Sequence, residues 1–195
     1  VPRVPHVDVD TLPEPAAARL RAAPPGNIFH TIAQAPQHLG PYLDFAWSVG
    51  REQALTPRLR ELAILRVAAL TECTYIWAHH ERFALAFGIT AAEIAAVRQG
   101  PDASAFAGVE RDLLRFVDEV TLHARASDAT WEALAAALPV RELVELTVAT
   151  SFYGMTARLV ETLGIELEGH ASELTVERLT RPGAAGGPPR ATEGG

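Results

Sequence analysis

The chain has 195 residues, 48% hydrophobic and 21% charged, with a formal charge of −7, which is ordinary for one soluble domain with a sizeable core. The acidic balance excludes binding by phosphate neutralisation, so no nucleic-acid partner is expected. No apolar run reaches the ~18 residues of a membrane span, and the opening residues lack the basic and apolar regions of a secretory leader, so no membrane association and a cytoplasmic location are expected.

Residues 1–26 hold Pro2, Pro5, Pro13, Pro15, Pro24 and Pro25, each of which removes a backbone donor and disfavours helix before it. They read as an N-terminal arm with at most a short helix, Ala16 to Ala22. Asn27 can cap a helix that Pro36 ends, and Gln37 to Gly50 carries Leu39, Leu43, Ala46 and Trp47 on one face. Thr56-Pro57 reads as an N-cap followed by a proline at the first helical position. The helix it opens, with Leu62, Ile64, Leu65, Val67 and Ala69, is apolar around most of its circumference and so is expected to be central. Cys73, Ile76, Trp77, His80, Phe83, Ala84 and Phe87 then recur at spacings of three and four, one face of a second helix that Gly88 ends. Thr90 and Glu93 match a capping box. Further helices are expected over Val109 to Val120, after Ser127 or Asp128, and from Pro139 to Leu163 with Gly164 as the stop. The fold class read from these periods is all-α, with a helical domain over residues 27–170. Residues 171–195, rich in Gly and Pro, read as a flexible C-terminal tail.

Arg60-Glu-Leu-Ala-Ile-Leu-Arg-Val-Ala68 and Arg141-Glu-Leu-Val-Glu-Leu-Thr-Val-Ala149 agree at six of nine positions. Each is followed by a helix ending in Gly-Ile, at Gly88 and at Gly164, and the pattern reads as a helical hairpin used twice. The second copy is degenerate, with Phe152, Tyr153, Gly154 and Met155 where the first has its thiol and imidazoles.

The stretch from Leu55 to Ile89 concentrates the side chains that move protons. Glu61 lies in a mainly apolar helix, where a carboxylate must be paired or take up a proton. Arg58, Arg60 and Arg66 offer the structural pairing, and a shifted Glu61 would serve as general acid or base. Cys73, the only cysteine, is expected in the first turn of its helix. There the dipole favours a thiolate, although a cysteine on an apolar face is also an ordinary small hydrophobe. His79 and His80 diverge by about 100°, and only His80 shares the Cys73 face. Seven residues put His80 about 10 Å along the axis from Cys73, so Glu61 on the neighbouring helix is its natural partner, unless a core carbonyl satisfies it. Ile76, Trp77 and His79 are candidate pocket residues, and Trp77 reads equally as core. The HExxH spacing is absent and adjacent histidines point apart, so no metal site and no cofactor are expected.

These residues resemble the carboxymuconolactone decarboxylase and alkylhydroperoxidase D-like superfamily, over roughly Asn27 to Ile165 and most sharply from Thr56 to Ile89. In the redox branch a glutamate is followed at fixed spacings by two cysteines and a histidine. Glu61, Cys73 and His80 occupy three of those positions, and Ile76 stands at the second cysteine, the one that attacks peroxide in that branch. The decarboxylase branch keeps glutamate and histidine without a cysteine pair. The resemblance therefore implies an all-helical enzyme in which Glu61 and His80 transfer protons to a small carbonyl or carboxylate substrate. A one-cysteine hydroperoxide reductase acting through Cys73 and a non-catalytic small-molecule-binding module are the alternatives. It also implies a homo-oligomer, a trimer or hexamer. The apolar circumference of the two central helices points the same way, since one chain has few neighbours with which to cover it.

Overall fold

The computed structural model describes residues 2–51 and 53–169, so the tail expected over residues 171–195 lies outside the described residues. Among these, all regular structure is helical: α1 Glu14–Ala22, α2 Asn27–Ile32, α3 Pro36–Gly50, α4 Pro57–Leu70, α5 Thr74–Ala86, α6 Ala91–Val97, α7 Val109–His123, α8 Asp128–Ala135 and α9 Val140–Leu163, with short 3₁₀ turns at Val9–Thr11 and Gly100–Asp102. None of these helices is long and apolar enough to cross a membrane. The residues group into two compact units, the first formed by the segments through Arg51 and from Gly164 and the second by residues 52–163.

In the second unit α4 is the centre. The Thr56 side chain accepts a hydrogen bond from the Leu59 amide, and Pro57 occupies the first turn, where its missing N–H removes nothing from the helix. Every residue from Leu59 to Ala68 is buried, because α5, α6, α7 and α9 all pack on α4. This changes the argument for assembly. The apolar circumference of α4 is covered within its own chain, and the large hydrophobic side chains that stay exposed in this unit are elsewhere, among them Leu85, Val140, Val144 and Met155.

Two ion-pair networks tie the surrounding helices to α4. Arg58 donates to Glu110 at 2.6 Å and to Glu93 at 2.5 Å, joining α4 to α7 and α6. Arg66 is more buried, 8% exposed. It donates to both carboxylate oxygens of Asp118 on α7, at 2.5 and 2.9 Å, and to the carbonyls of Val97 and Arg98 at 2.9 and 3.0 Å. Gly100 lies over this guanidinium with φ +82, and a Cβ there would meet Arg66 Nη2 at 2.5 Å. Only glycine satisfies both the backbone and the space at that point.

The capping box expected at Thr90 and Glu93 is present, and Gly88 takes the left-handed conformation with φ 83 after α5. The repeat is one of helix sequence and not of a hairpin. In the first copy Thr71 caps α4, Glu72 adopts φ 54 and Cys73 starts the next helix. In the second copy the residues aligned with these three, Phe152 to Gly154, continue α9 without a break. The Thr147 and Thr150 hydroxyls return hydrogen bonds to the Leu143 and Leu146 carbonyls one turn back, which keeps polar side chains inside the continuous helix.

In the first unit, Ala16, Ala17 and Leu20 bury one side of α1, which packs against α3. Arg19 pairs with Asp44 and donates to the Gly40 carbonyl at 3.2 Å. The N-terminal arm therefore has a packed helix of its own. Pro36 does not end α2 as read from the sequence; it stands in the first turn of α3, where a proline is tolerated, and α2 stops earlier, at Ile32. The α2 entrance is held by Glu168, whose carboxylate accepts from the Asn27 amide at 2.6 Å, while Asn27 Nδ2 donates to the Glu166 carbonyl at 2.9 Å.

Candidate functional site

Glu61 lies one turn into α4 and His80 halfway along α5, and the packing of these two helices brings their side chains together. His80 Nδ1 and Glu61 Oε2 are 2.7 Å apart, in the range of a charge-assisted hydrogen bond. The Glu61 side chain is 3% exposed and that of His80 11%. The other carboxylate oxygen, Oε1, accepts from Arg60 Nε at 3.3 Å. Of the three arginines that could pair with Glu61, Arg58 and Arg66 are engaged in the networks above. The buried carboxylate is thus held between a guanidinium and an imidazole, and the cost of burying it is offset by both.

A carboxylate that accepts the Nδ1 proton fixes the neutral imidazole in the tautomer whose lone pair is on Nε2. Nε2 makes no hydrogen bond to the described residues. Two aromatic rings stand nearly perpendicular to the imidazole, Phe83 on α5 at 5.4 Å and 81°, and Tyr153 on α9 at 4.7 Å and 82°. Arg60, as the specific partner, and Tyr153 are the residues that the sequence reading did not bring to this site. Arg60 was one of three equivalent candidates, and Tyr153 belongs to the copy read as having lost its chemistry.

Cys73 is placed differently from expectation. It is the N-cap of α5, one residue before the first turn, and it is 1% exposed. Burial, with the Glu161 carboxylate beside the thiol, pushes its pKa from 9.0 up to about 12, against the opposing pull of the Ile76 and Tyr75 backbone N–H groups. The helix terminus acts in the expected direction, but desolvation of the charged form outweighs it. The thiol is therefore neutral near pH 7, and the nucleophilic thiolate is scarce. Iodoacetamide at pH 8 is expected to leave Cys73 unmodified in the folded chain and to label it fully in urea, as read by intact mass. Rapid labelling of folded protein would contradict the buried placement. Because the folded pKa is above the unfolded one, the contribution of the neutral thiol to stability is complete below pH 9 and is lost as pH rises toward 12.

The three candidate pocket residues have separate surroundings. Ile76 is 2% exposed. Trp77 packs partly into the core, with the Arg98 guanidinium 3.6 Å from its ring centre. The His79 ring lies 4.7 Å from that of Tyr75. A surface depression lined by Ser151, Met155, Arg158, Leu159, Thr162 and Leu163 contains none of the three. Among the described residues no three His, Cys, Asp or Glu side chains group as metal ligands.

The sequence model of the Carboxymuconolactone decarboxylase family matches residues 36–119, a span that includes Glu61, Cys73 and His80. The family match and the AhpD-like solved structures below together support the carboxymuconolactone decarboxylase and alkylhydroperoxidase D-like superfamily for this chain. No curated protein matches it. Among solved structures, the alkylhydroperoxidase AhpD core of an uncharacterized peroxidase-related protein from Ralstonia eutropha JMP134 is similar over 87% of this chain and 93% of that one, with 20% identity and a TM-score of 0.74. An uncharacterized peroxidase-related protein from Silicibacter sp. TM1040 is similar over 85% and 90%, with 16% identity and a TM-score of 0.71. The debrominase Bmp8 is similar over 84% and 91%, with 13% identity and a TM-score of 0.68; a variant of it has been crystallised with 2,3,4-tribromopyrrole. At these identities the structural likeness shows the helical fold alone.

Proposed function

We propose that this superfamily member is an enzyme of the carboxymuconolactone decarboxylase type, in which Glu61 and His80 act as a general acid–base pair on a small carbonyl or carboxylate substrate. The observation that carries the reading is the buried 2.7 Å contact between Glu61 Oε2 and His80 Nδ1. With Nδ1 held by the carboxylate, Nε2 is the atom that exchanges a proton with substrate, and the adjacent carboxylate stabilises the imidazolium formed when it does. Loss of CO₂ from a carboxylate placed β to a carbonyl leaves an enolate; His80, having taken a proton from solvent at Nε2, gives it to the enolate carbon and returns to the neutral imidazole, so that one proton is consumed per CO₂ released. Arg60 balances the charge of Glu61 throughout. The complex of Bmp8 with a small ring compound supports a small cyclic substrate for this chain.

Thiol chemistry fits the residues less well. Cys73 is buried, its pKa is raised to about 12, and Ile76 stands at the position of the second cysteine. The experiment that tests the proposal is a panel of lactones, β-keto acids and hydroperoxides, with products identified by mass spectrometry. Decarboxylation or lactone turnover supports it. Turnover confined to hydroperoxides overturns it, and a small molecule that co-purifies without turnover would assign the chain a binding role instead.

A closed homo-oligomer, trimer or hexamer, is part of the same proposal. Its support is now the exposed apolar side of α9, with Val140 77%, Val144 55% and Met155 41% exposed, and not the covered faces of α4. Light scattering at micromolar concentration is expected to give a multiple of the 20.9 kDa chain mass. A particle of one chain mass would remove this part of the proposal.

A further inference from the structure

Tyr153 on α9 meets the imidazole of His80. Its ring centre is 4.7 Å from that of His80 at 82°, and Phe152 beside it is perpendicular to Tyr153 in turn, at 5.2 Å and 90°. Phe152 is 3% exposed and belongs to the buried part of α9, while Tyr153 packs on the core cluster from a partly buried position. Phe152 is anchored in the core, and Tyr153 packs against that core on one side. Perpendicular aromatic pairs are favoured by the ring quadrupoles beyond simple burial.

The imidazole needs such a neighbour. Its hydrogen bond to Glu61 uses one nitrogen, and rotation of the ring about its bond to Cβ would place a carbon against the carboxylate and leave a buried charge short of a donor. Phe83, one turn along the same helix, restrains the ring only locally. Tyr153 does so from another helix, and its own position is set by packing that does not involve α5 alone. The degenerate second copy, in which chemistry has been lost, thus supplies a wall for the chemistry of the first.

We infer that Tyr153 is a positioning residue for His80: its ring, not its hydroxyl, keeps Nδ1 on Glu61 and Nε2 available for proton exchange. The inference rests on reading Glu61 and His80 as the acid–base pair. It reaches a residue for which neither the spacing of the chemical side chains nor the resemblance to the superfamily assigns a role.

The test is proton NMR of the full chain labelled with ¹⁵N-histidine, following the far-downfield Nδ1–H resonance of His80, assigned by its loss in His80→Gln. In the wild type this resonance is expected to be sharp and slow to exchange. Tyr153→Leu is expected to broaden it beyond detection or to speed its solvent exchange at least tenfold, with helical circular dichroism unchanged. Tyr153→Phe is expected to retain it. With the best substrate of the panel, kcat should fall roughly 2- to 10-fold in Tyr153→Leu, the range such ring pairs are worth, and recover in Tyr153→Phe. Tyr153→Met is the second variant, so that a folding failure of Tyr153→Leu does not decide the matter.

A sharp, slowly exchanging resonance in folded Tyr153→Leu or Tyr153→Met overturns the inference and leaves the acid–base reading intact. Loss of the resonance in Tyr153→Phe overturns it as well, because the hydroxyl and not the ring would then be the positioning group. Absence of the resonance from the wild type means that the Glu61–His80 bond itself is not held in solution, which overturns the acid–base reading and this inference with it.

Discussion

Glu61→Gln and His80→Ala are each expected to lower kcat by roughly 10²- to 10⁴-fold, the usual contribution of a positioned general acid or base. Glutamine keeps the size of Glu61 and a hydrogen-bond acceptor for Nδ1, but it removes the negative charge beside the imidazole and from the oxygen that Arg60 Nε faces. The imidazolium formed on proton uptake then loses its closest counter-charge, at 2.7 Å in the native site. His80→Ala removes the exchanging atom altogether. Because the two residues work as a unit, the double variant is expected to be little worse than either single one. Steady-state kinetics on the best substrate of the panel, with circular dichroism to confirm folding, checks this. Two single variants within threefold of wild type would remove the acid–base role.

The largest effect on stability is expected at Arg66. Replacing it with methionine keeps the buried alkyl stem but takes four hydrogen bonds away, leaving Asp118 and the carbonyls of Val97 and Arg98 without the donor they share. Breaking a buried pair on one side costs about 3–5 kcal/mol, a large part of the ~5–15 kcal/mol by which a domain is stable. Asp118 is partly exposed, its side chain 22%, so water relieves some of that cost and the lower end of the range is expected. Urea unfolding followed by circular dichroism should show the midpoint move down accordingly. In Arg66→Met/Asp118→Leu the loss should be smaller than in Arg66→Met alone, because no carboxylate is then stranded. A single variant within 0.5 kcal/mol of wild type, the usual range for surface positions, would show that Arg66 does not tie α4 to α7.

Much of the second unit was legible because its signals are local. Thr56-Pro57, the Thr90 and Glu93 capping box and Gly88 each act within a turn of their own position, and each has the form its residue types dictate. The period of three and four along α5 put His80 on a buried face, and the neighbouring helix offered Glu61 as its partner. Two readings went astray where the deciding interaction is not local, and a third left two outcomes open. Pro36 carries the same chemistry at the end of one helix as at the start of the next, and its place in α3 depends on α2 stopping at Ile32. The similarity of residues 60–68 and 141–149 describes two helices well, but whether a turn follows is decided by Glu72 at φ 54 in one copy and by an uninterrupted α9 in the other. Cys73 reads from the sequence both as a thiol at a helix terminus and as a small buried hydrophobe. Its burial and the nearness of Glu161, a residue distant in sequence, decide between the two.

Tyr153 and Arg60 show the same limit at the site itself. Nothing in the spacing of Tyr153 connects it to His80, since the two are brought together only when α9 packs beside α5. Arg58, Arg60 and Arg66 were indistinguishable as partners for Glu61 until α6 and α7 were in place to claim two of them. Side chains whose chemistry allows proton transfer could be found along the chain, whereas their neighbours Arg60 and Tyr153 were identified only once the helices had packed.

The most direct measurement is kcat/KM of Cys73→Ala beside that of His80→Ala, on the best substrate of the panel and in one buffer. Proton transfer by the Glu61–His80 pair predicts that Cys73→Ala stays within about threefold of wild type, as for a small buried side chain outside the chemistry, while His80→Ala falls by roughly 10²-fold or more. Activity abolished in Cys73→Ala but kept in His80→Ala would contradict the account and place the chemistry on the thiol.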